Sequence, residues 1–265
     1  MIAAACLVPA AALFAAFWLL PIARLLALPA TKGAATYVAV LTEPRYLQSL
    51  AQTALLAVAV TLVSLLLGAA VGLYLGRRRF PGRRLLLAAL TMPLAFPGVI
   101  VGFFVILIGG RQGPFAAWTD ALFGTRLTFA YGLFGLFVAY VYFSLPRTIV
   151  AFTAAAETMG EELEDAARSL GASRRWIARD VWLPALAPTA LAAGAILFAT
   201  AMGAFGTAFT LSSRYEVLPI TIYNEFTNYA NFALAASLSI ALGLITWLAL
   251  FLARRFGSAD VAPAA

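Results

Sequence analysis

Six of the eleven carboxylates in this 265-residue chain fall in one segment, residues 146–182: Glu157, Glu161, Glu162, Glu164, Asp165 and Asp180. Five of its eighteen basic residues share the segment: Arg147, Arg168, Arg174, Arg175 and Arg179. The spacing suits a docking contact rather than catalysis. Leu163, Ala166, Ala167 and Leu170 recur at i, i+3, i+4 and i+7, one narrow apolar stripe on a helix over residues 159–170. Thr158 followed by Glu161 has capping-box spacing. Gly171 lies one residue past Leu170, where a left-handed C-terminal cap belongs. Ser173 is placed to cap a second short helix with Trp176, Ile177 and Val181 on its apolar side. Leu183-Pro184 then opens the next helix, since proline's missing donor costs little in a first turn. A helix of about twelve residues outside a membrane is marginal alone, so it must lie against something. Two alanines make the stripe shallow, which suits a groove on a partner protein. A helix lying on lipid is the other reading, but it carries a broader apolar face and a basic polar face, whereas this one begins with acids.

Other reactive groups are scarce. The chain has no histidine, which excludes imidazole catalysis, His-ligated metal and His proton relays. Cys6 is the single cysteine, and Lys32 the single lysine, in a Thr31-Lys32-Gly33 context without the upstream glycine of a phosphate-binding loop. No catalytic, cofactor-binding or metal-ligating residue is expected. The chain therefore does not bind and hydrolyse ATP by a phosphate-binding loop of its own. A net charge of +7 in a soluble protein would point to nucleic acid. Here the arginines read as topology signals beside anionic lipid, and no nucleic-acid partner is expected.

The elements that position this segment must lie in a bilayer. Hydrophobic residues make up 63% of the chain and charged residues 11%, against about 45–50% and about 25% in soluble domains. Mean hydropathy is +0.95. The apolar runs bracket six spans, at about 2–28, 50–75, 85–108, 127–145, 183–211 and 232–252, each near the roughly 20 residues that cross a hydrocarbon core. Span 1 lacks the basic flank of a signal peptide and reads as a membrane helix. No Asp, Glu or Lys falls inside a span, so the buried charge of an ion-coupled carrier is missing. Twelve basic residues fall in the segments 77–84, 146–182 and 254–255, and six on the opposite side, including Arg214. The bias sets both termini in the cytoplasm. Gly68, Gly72 and Gly76 recur every fourth residue, spacing that lets membrane helices approach closely. Pro93 and Pro97 break or kink span 3. A pore-lining kink and a purely structural one are both open. The loop between spans 5 and 6, with Arg214, Glu216, Asn224, Glu225, Asn228 and Asn231, reads either as a protein contact or as a solvated loop.

The run Asp165-Ala166-Ala167-Arg168-Ser169-Leu170-Gly171-Ala172, continuing to Val181-Trp182-Leu183-Pro184, resembles the EAA loop of type I ATP-binding-cassette (ABC) importer permeases. That pattern is Glu-Ala-Ala, three residues, Gly, nine residues, Ile, one residue, Leu-Pro. Asp165 replaces its Glu, with Glu164 beside it, and Val181 replaces its Ile. Thr53-Ala54-Leu55-Leu56 at the start of span 2, and Pro93 and Pro97 in span 3, look like the same family. Gly203-Ala204-Phe205-Gly206 and Leu218-Pro219-Ile220 look similar to its branch with sulfate, molybdate, iron, polyamine and 2-aminoethylphosphonate permeases. Residues 221–242 look nearest to the 2-aminoethylphosphonate and polyamine members, so the implied substrate is a small solute such as 2-aminoethylphosphonate, a polyamine, iron or an oxyanion. The resemblance implies an all-α, six-helix inner-membrane permease of a bacterium. It implies an N-terminal helix and outside loop at 1–45, a core at 46–255 with a coupling loop at 146–183, and a cytoplasmic tail at 256–265. It also implies a cytoplasmic ABC ATPase dimer, a second permease subunit, a periplasmic or lipid-anchored solute-binding protein, and a lipid surround. The ATPase contact would be made by Glu164, Asp165, Ala166, Ala167, Leu170, Gly171, Val181, Leu183 and Pro184. Pro93, Pro97, Gly203 and Gly206 would belong to the pore or its gate. A secondary transporter or a membrane scaffold are the rival readings, and both leave the EAA-type loop unexplained.

Overall fold

The computed structural model describes residues 8–9, 11–212 and 215–257. Cys6, Arg214, the start of the first apolar run and residues 258–265 of the tail lie outside the described residues. Every regular element described is a helix: α1 (Ala11–Ala30), α2 (Ala35–Thr42), α3 (Pro44–Arg77), α4 (Arg83–Thr91), α5 (Gly98–Gly109), α6 (Pro114–Phe123), α7 (Leu133–Thr158), α8 (Glu161–Ser169), α9 (Arg174–Met202), α10 (Phe205–Leu211), α11 (Leu218–Tyr223) and α12 (Phe232–Gly257). Six helical segments are long and apolar enough to cross a membrane: α1, α3, α5 with α6 (Gly98–Phe123), α7, α9 and α12 (Phe232–Ala253).

The span limits differ from the hydropathy reading at most boundaries: the second crossing starts at Pro44, the third runs on to Phe123, the fourth starts at Leu133, and the fifth ends at Met202, with residues 205–211 forming the separate α10. The third crossing starts at Gly98 rather than near residue 85. Leu85–Thr91 belongs to α4, and a 3-10 turn at Met92–Ala95 separates the two. Pro93 and Pro97 each remove a backbone donor, so the ladder stops and restarts between them. The fourth crossing continues past Pro146, which is buried inside α7, to Thr158. Apolar density falls after Leu145, but the helix does not. Thr158 therefore ends α7, its hydroxyl donating to the Ala155 carbonyl, and the residue capping α8 is Gly160 instead. The fifth crossing starts at Arg174, upstream of Leu183-Pro184. A π turn at Ala178–Trp182 carries Leu183 N–H to the Ala178 carbonyl, and Pro184 follows where the ladder is already shifted.

The described residues form two compact units. One takes the chain up to Gln52 together with Val217–Ile245. Its core is Val40, Leu218, Leu234 and Leu238, with Tyr46 and Leu50 packed against it. The buried hydroxyls of Ser49 and Thr221, 2.7 Å apart, pair α3 with α11. The other takes Thr53–Glu216 and the chain from Thr246. Here the glycine triplet does what its spacing suggests. A Cβ on Gly68, Gly72 or Gly76 would stand 2.4, 2.6 or 2.5 Å from the Cβ of Thr148, Phe152 or Ala156. Only glycine lets α3 and α7 lie this close. The same device joins α5 to α10, where a Cβ on Gly102 would overlap the Thr210 hydroxyl.

Candidate functional site

The helix α8 is short and strongly two-faced. Among its described side chains the buried carboxylate is Glu164, only 7% exposed, on its inward side. Three side chains converge on it. The Trp182 indole Nε1–H, from the π turn of α9, donates to Oε1 at 2.7 Å. Arg77, the last residue of α3, brings Nη2 to 2.6 Å from the same oxygen. Arg168, one turn along α8, reaches Oε2 at 3.4 Å. Glu164 thus ties α8 to the ends of two membrane-crossing helices. The Arg77 contact is a close ion pair rather than an aligned hydrogen bond, and Arg77 Nε is also buried without a hydrogen-bond partner. A second ion pair, Arg83 with Glu157, joins the start of α4 to the end of α7. Arg83 Nε also donates to the Leu75 carbonyl at 2.7 Å, capping the last turn of α3.

The outward side of α8 is the expected apolar stripe. Leu163 is 62% exposed and Leu170 88% exposed, Ala166 is exposed and Ala167 half-buried. No described part of the chain covers this stripe. Gly171 closes the helix at φ +80°. The Gly171 N–H donates to the Arg168 carbonyl and the Ala172 N–H to the Ala167 carbonyl, a Schellman cap. Open space surrounds Gly171, so the backbone angle alone demands glycine. Asp165 sits at the rim, exposed, with Arg168 Nη1 at 3.5 Å. Ser173 occupies the cap position before Arg174, and Ile177 is buried while Trp176 is exposed. Val181 is half-buried, and Leu183 and Pro184 are exposed.

Three of the four residues expected at a pore or gate meet in one place. Pro97, Gly203 and Gly206 line a cavity of about 400 Å³ with Gly98, Tyr140, Ser144, Thr200 and Thr207. Pro93 is buried in its 3-10 turn, apart from those walls. Two helix interruptions create the space: the break before α5 and the break at Gly203-Ala204 between α9 and α10. Both are braced. The Tyr140 hydroxyl donates to the Ala204 carbonyl at 2.6 Å, and the Thr207 hydroxyl to the Gly98 carbonyl at 3.0 Å. Irregular backbone at membrane depth survives where protein or a lined cavity satisfies it. Among the described residues no charged side chain lines this space.

Glu225 reads from the sequence as either a protein contact or a solvated loop residue, and its burial and partners are not foreseen there. It is 4% exposed, accepts a hydrogen bond from the Tyr46 hydroxyl at 3.0 Å, and lies 3.9 Å from Arg45. It is therefore no solvated loop residue. A signal existed: Glu225 follows an apolar helix, and Arg45 is the lone cation at the start of α3. Among the described residues, no group of three His, Cys, Asp or Glu side chains is placed to hold a metal.

Comparison with known proteins bears on what these features do. Residues 68–258 match the family model described as "Binding-protein-dependent transport system inner membrane component". The chain is 30% identical over 246 residues to the sulfate transport system permease protein CysT of Escherichia coli, covering 90% of this chain and 88% of that one. It is 31% identical over 234 residues to the molybdenum transport system permease protein ModB of Escherichia coli, covering 82% and 99%. Its fold is similar to a chain of a bacterial alginate ABC transporter solved with an alginate-bound periplasmic protein. There the TM-score is 0.83 at 16% identity, over 97% of this chain and 95% of that one.

Proposed function

We propose a role that proceeds from family: the chain belongs to the binding-protein-dependent transport system inner membrane components, the type I permease subunits of ABC importers. It is a multi-pass inner-membrane protein. In the proposed role two such subunits, identical or sister chains, enclose the path. An ABC ATPase dimer binds on the side of α8, and a solute-binding protein delivers substrate to the other side. Both termini face the ATPase side, as the arginine bias favours. Residues 46–255 form the core, with 146–183 as its coupling loop.

One observation supports the coupling role above the rest. The side of α8 that carries Leu163, Ala166 and Leu170 is uncovered, while the opposite side is held by Glu164 to Arg77 and Trp182. A helix seated in an ATPase groove by its stripe would carry α3 and α9 with it when the groove moves. Asp165, exposed on the rim beside Arg168, would meet a basic residue of the ATPase. Gly171 and Pro184 bound the stiff connection. ATP would be hydrolysed by the partner, and this chain would supply the gated path.

The substrate class we favour is a small oxyanion of the sulfate or molybdate type, as transported by the named relatives. The cavity at Pro97, Gly203 and Gly206 offers hydroxyls from Tyr140, Ser144, Thr200 and Thr207 and no carboxylate. Polyamines and iron would want acids there. Uptake of labelled sulfate and molybdate into proteoliposomes holding permease, ATPase and binding protein tests this. ATP-dependent uptake of one oxyanion, competed by the other but not by putrescine, is expected. Uptake of putrescine alone would refute the oxyanion class.

A further inference from the structure

A second cavity, of about 590 Å³, lies on the inward side of α8, apart from the stripe. Its walls come from the end of α3, from α8 and from the start of α9. Arg77, Arg78, Arg168 and Arg174 line it, with Glu164 and Asp165 as its acids. The acids are already engaged: Glu164 by Arg77, Arg168 and Trp182, and Asp165 by Arg168. Arg78 and Arg174 form no ion pair among the described residues. Arg77 Nη2 is taken by Glu164, whereas its Nε stays buried without a hydrogen-bond partner. Buried guanidinium donors left unmade are costly and call for an acceptor. The pocket thus carries a surplus of two positive charges, two unpaired guanidinium groups at Arg78 and Arg174, and one buried donor left over at Arg77 Nε, a set that suits a phosphate. One wall is apolar: Ala70, Leu73 and Tyr74, with Tyr74 61% exposed on the flank of a membrane-crossing helix.

We propose that this pocket binds a phosphate group, as the headgroup of an acidic phospholipid whose chains run along Ala70, Leu73 and Tyr74. Basic pockets at the ends of membrane helices recognise such headgroups. Bound there, a phosphate would satisfy Arg77 and bridge α3 to α9 beside Glu164.

The test uses full-length permease in detergent, titrated with phosphatidylglycerol, with phosphatidylcholine, or with inorganic phosphate, and read by native mass spectrometry and thermal shift. Phosphatidylglycerol is expected to bind and raise the melting temperature, and phosphatidylcholine to do neither. The Arg78→Gln/Arg174→Gln variant, which removes two cationic contacts, should bind it at least about tenfold more weakly. Arg79→Gln/Arg175→Gln removes the same charge from exposed neighbours outside the pocket and should bind like the parent. A shift with inorganic phosphate that Arg78→Gln/Arg174→Gln abolishes would keep the phosphate site and assign it to a soluble anion. Equal losses in both variants, or no binding by either phosphate source, would overturn the proposal. Neither outcome bears on ATPase coupling through the α8 stripe.

Discussion

Arg77 Nη2 lies 2.6 Å from Glu164 Oε1, so the last residue of a membrane-crossing helix grips the buried carboxylate of a nine-residue helix outside it. Both side chains are largely shielded, at 15% and 9% exposure. Breaking a buried pair by removing one partner costs about 3–5 kcal/mol, because the other charge is left uncompensated. Glu164→Gln and Arg77→Gln should each destabilise the α8 region by about 3 kcal/mol, and the double variant by less than their sum. Hydrogen exchange over residues 159–182 reads this directly. Additive effects would mean that the two side chains do not act as a pair.

The stripe is the opposite case. Leu170 is 88% exposed and touches no core. Leu170→Asp should leave stability within about 0.5 kcal/mol of the parent. It should nonetheless reduce co-purification of the ATPase more than about tenfold, since a charge would enter a desolvated groove. Unchanged recovery of the ATPase would count against the docking face.

Gly72 carries a packing prediction. A Cβ there stands 2.6 Å from the Phe152 Cβ and 2.9 Å from the Thr153 nitrogen. Gly72→Ala must push α3 from α7 and should cost about 1–3 kcal/mol. At Gly203 the nearest atom to such a Cβ is the Ala199 carbonyl oxygen of the preceding turn, 3.7 Å away, an ordinary contact. Gly203→Ala should therefore fold like the parent. Thermal melts in detergent compare the two.

The cavity between the broken helices tests substrate charge. Thr200 lines it. A carboxylate about 4 Å from a passing oxyanion opposes it by about 4 kcal/mol at an effective dielectric of 20. Thr200→Asp should then cut oxyanion uptake by more than about a hundredfold while ATPase assembly stays intact. Thr200→Val, of similar shape, should transport within a few-fold of the parent. Equal uptake by all three would remove this cavity from the path.

Much of this arrangement was legible in residue order. The i, i+3, i+4, i+7 stripe of α8, the left-handed Gly171 and the glycine contacts of α3 follow from local rules, because helical periodicity and backbone angle are local properties. Pro97 was legible as an interruption, since it removes a backbone donor, whereas Gly203 and Gly206 enter only through the family resemblance, and the break at Gly203-Ala204 is hidden in an apolar run that reads as unbroken to residue 211. Which carboxylate faces inward was not. Glu164 and Asp165 are about 100° apart on the helix, and only the placement of Arg77 and Trp182, distant in sequence, selects Glu164. The end of α7 was misjudged for a related reason. Hydropathy marks where lipid stops, whereas the helix continues to Thr158 through contacts with α3 at Thr148, Phe152 and Ala156. Glu225 was hidden because its partners, Arg45 and Tyr46, lie about 180 residues away.

Site-specific photocrosslinking from α8 tests the central claim most directly. With Cys6 replaced by Ala, a single cysteine at position 170, 163 or 244 is labelled with a photoactivatable maleimide in membranes that contain the transporter's own ATPase. Leu170 and Leu163 lie on the stripe, and Leu244 is 60% exposed on a membrane-crossing helix. Adducts with the ATPase from Leu170→Cys and Leu163→Cys, and none from Leu244→Cys, are the expected result. No adduct from either α8 position, with the ATPase still co-purifying, would contradict the account.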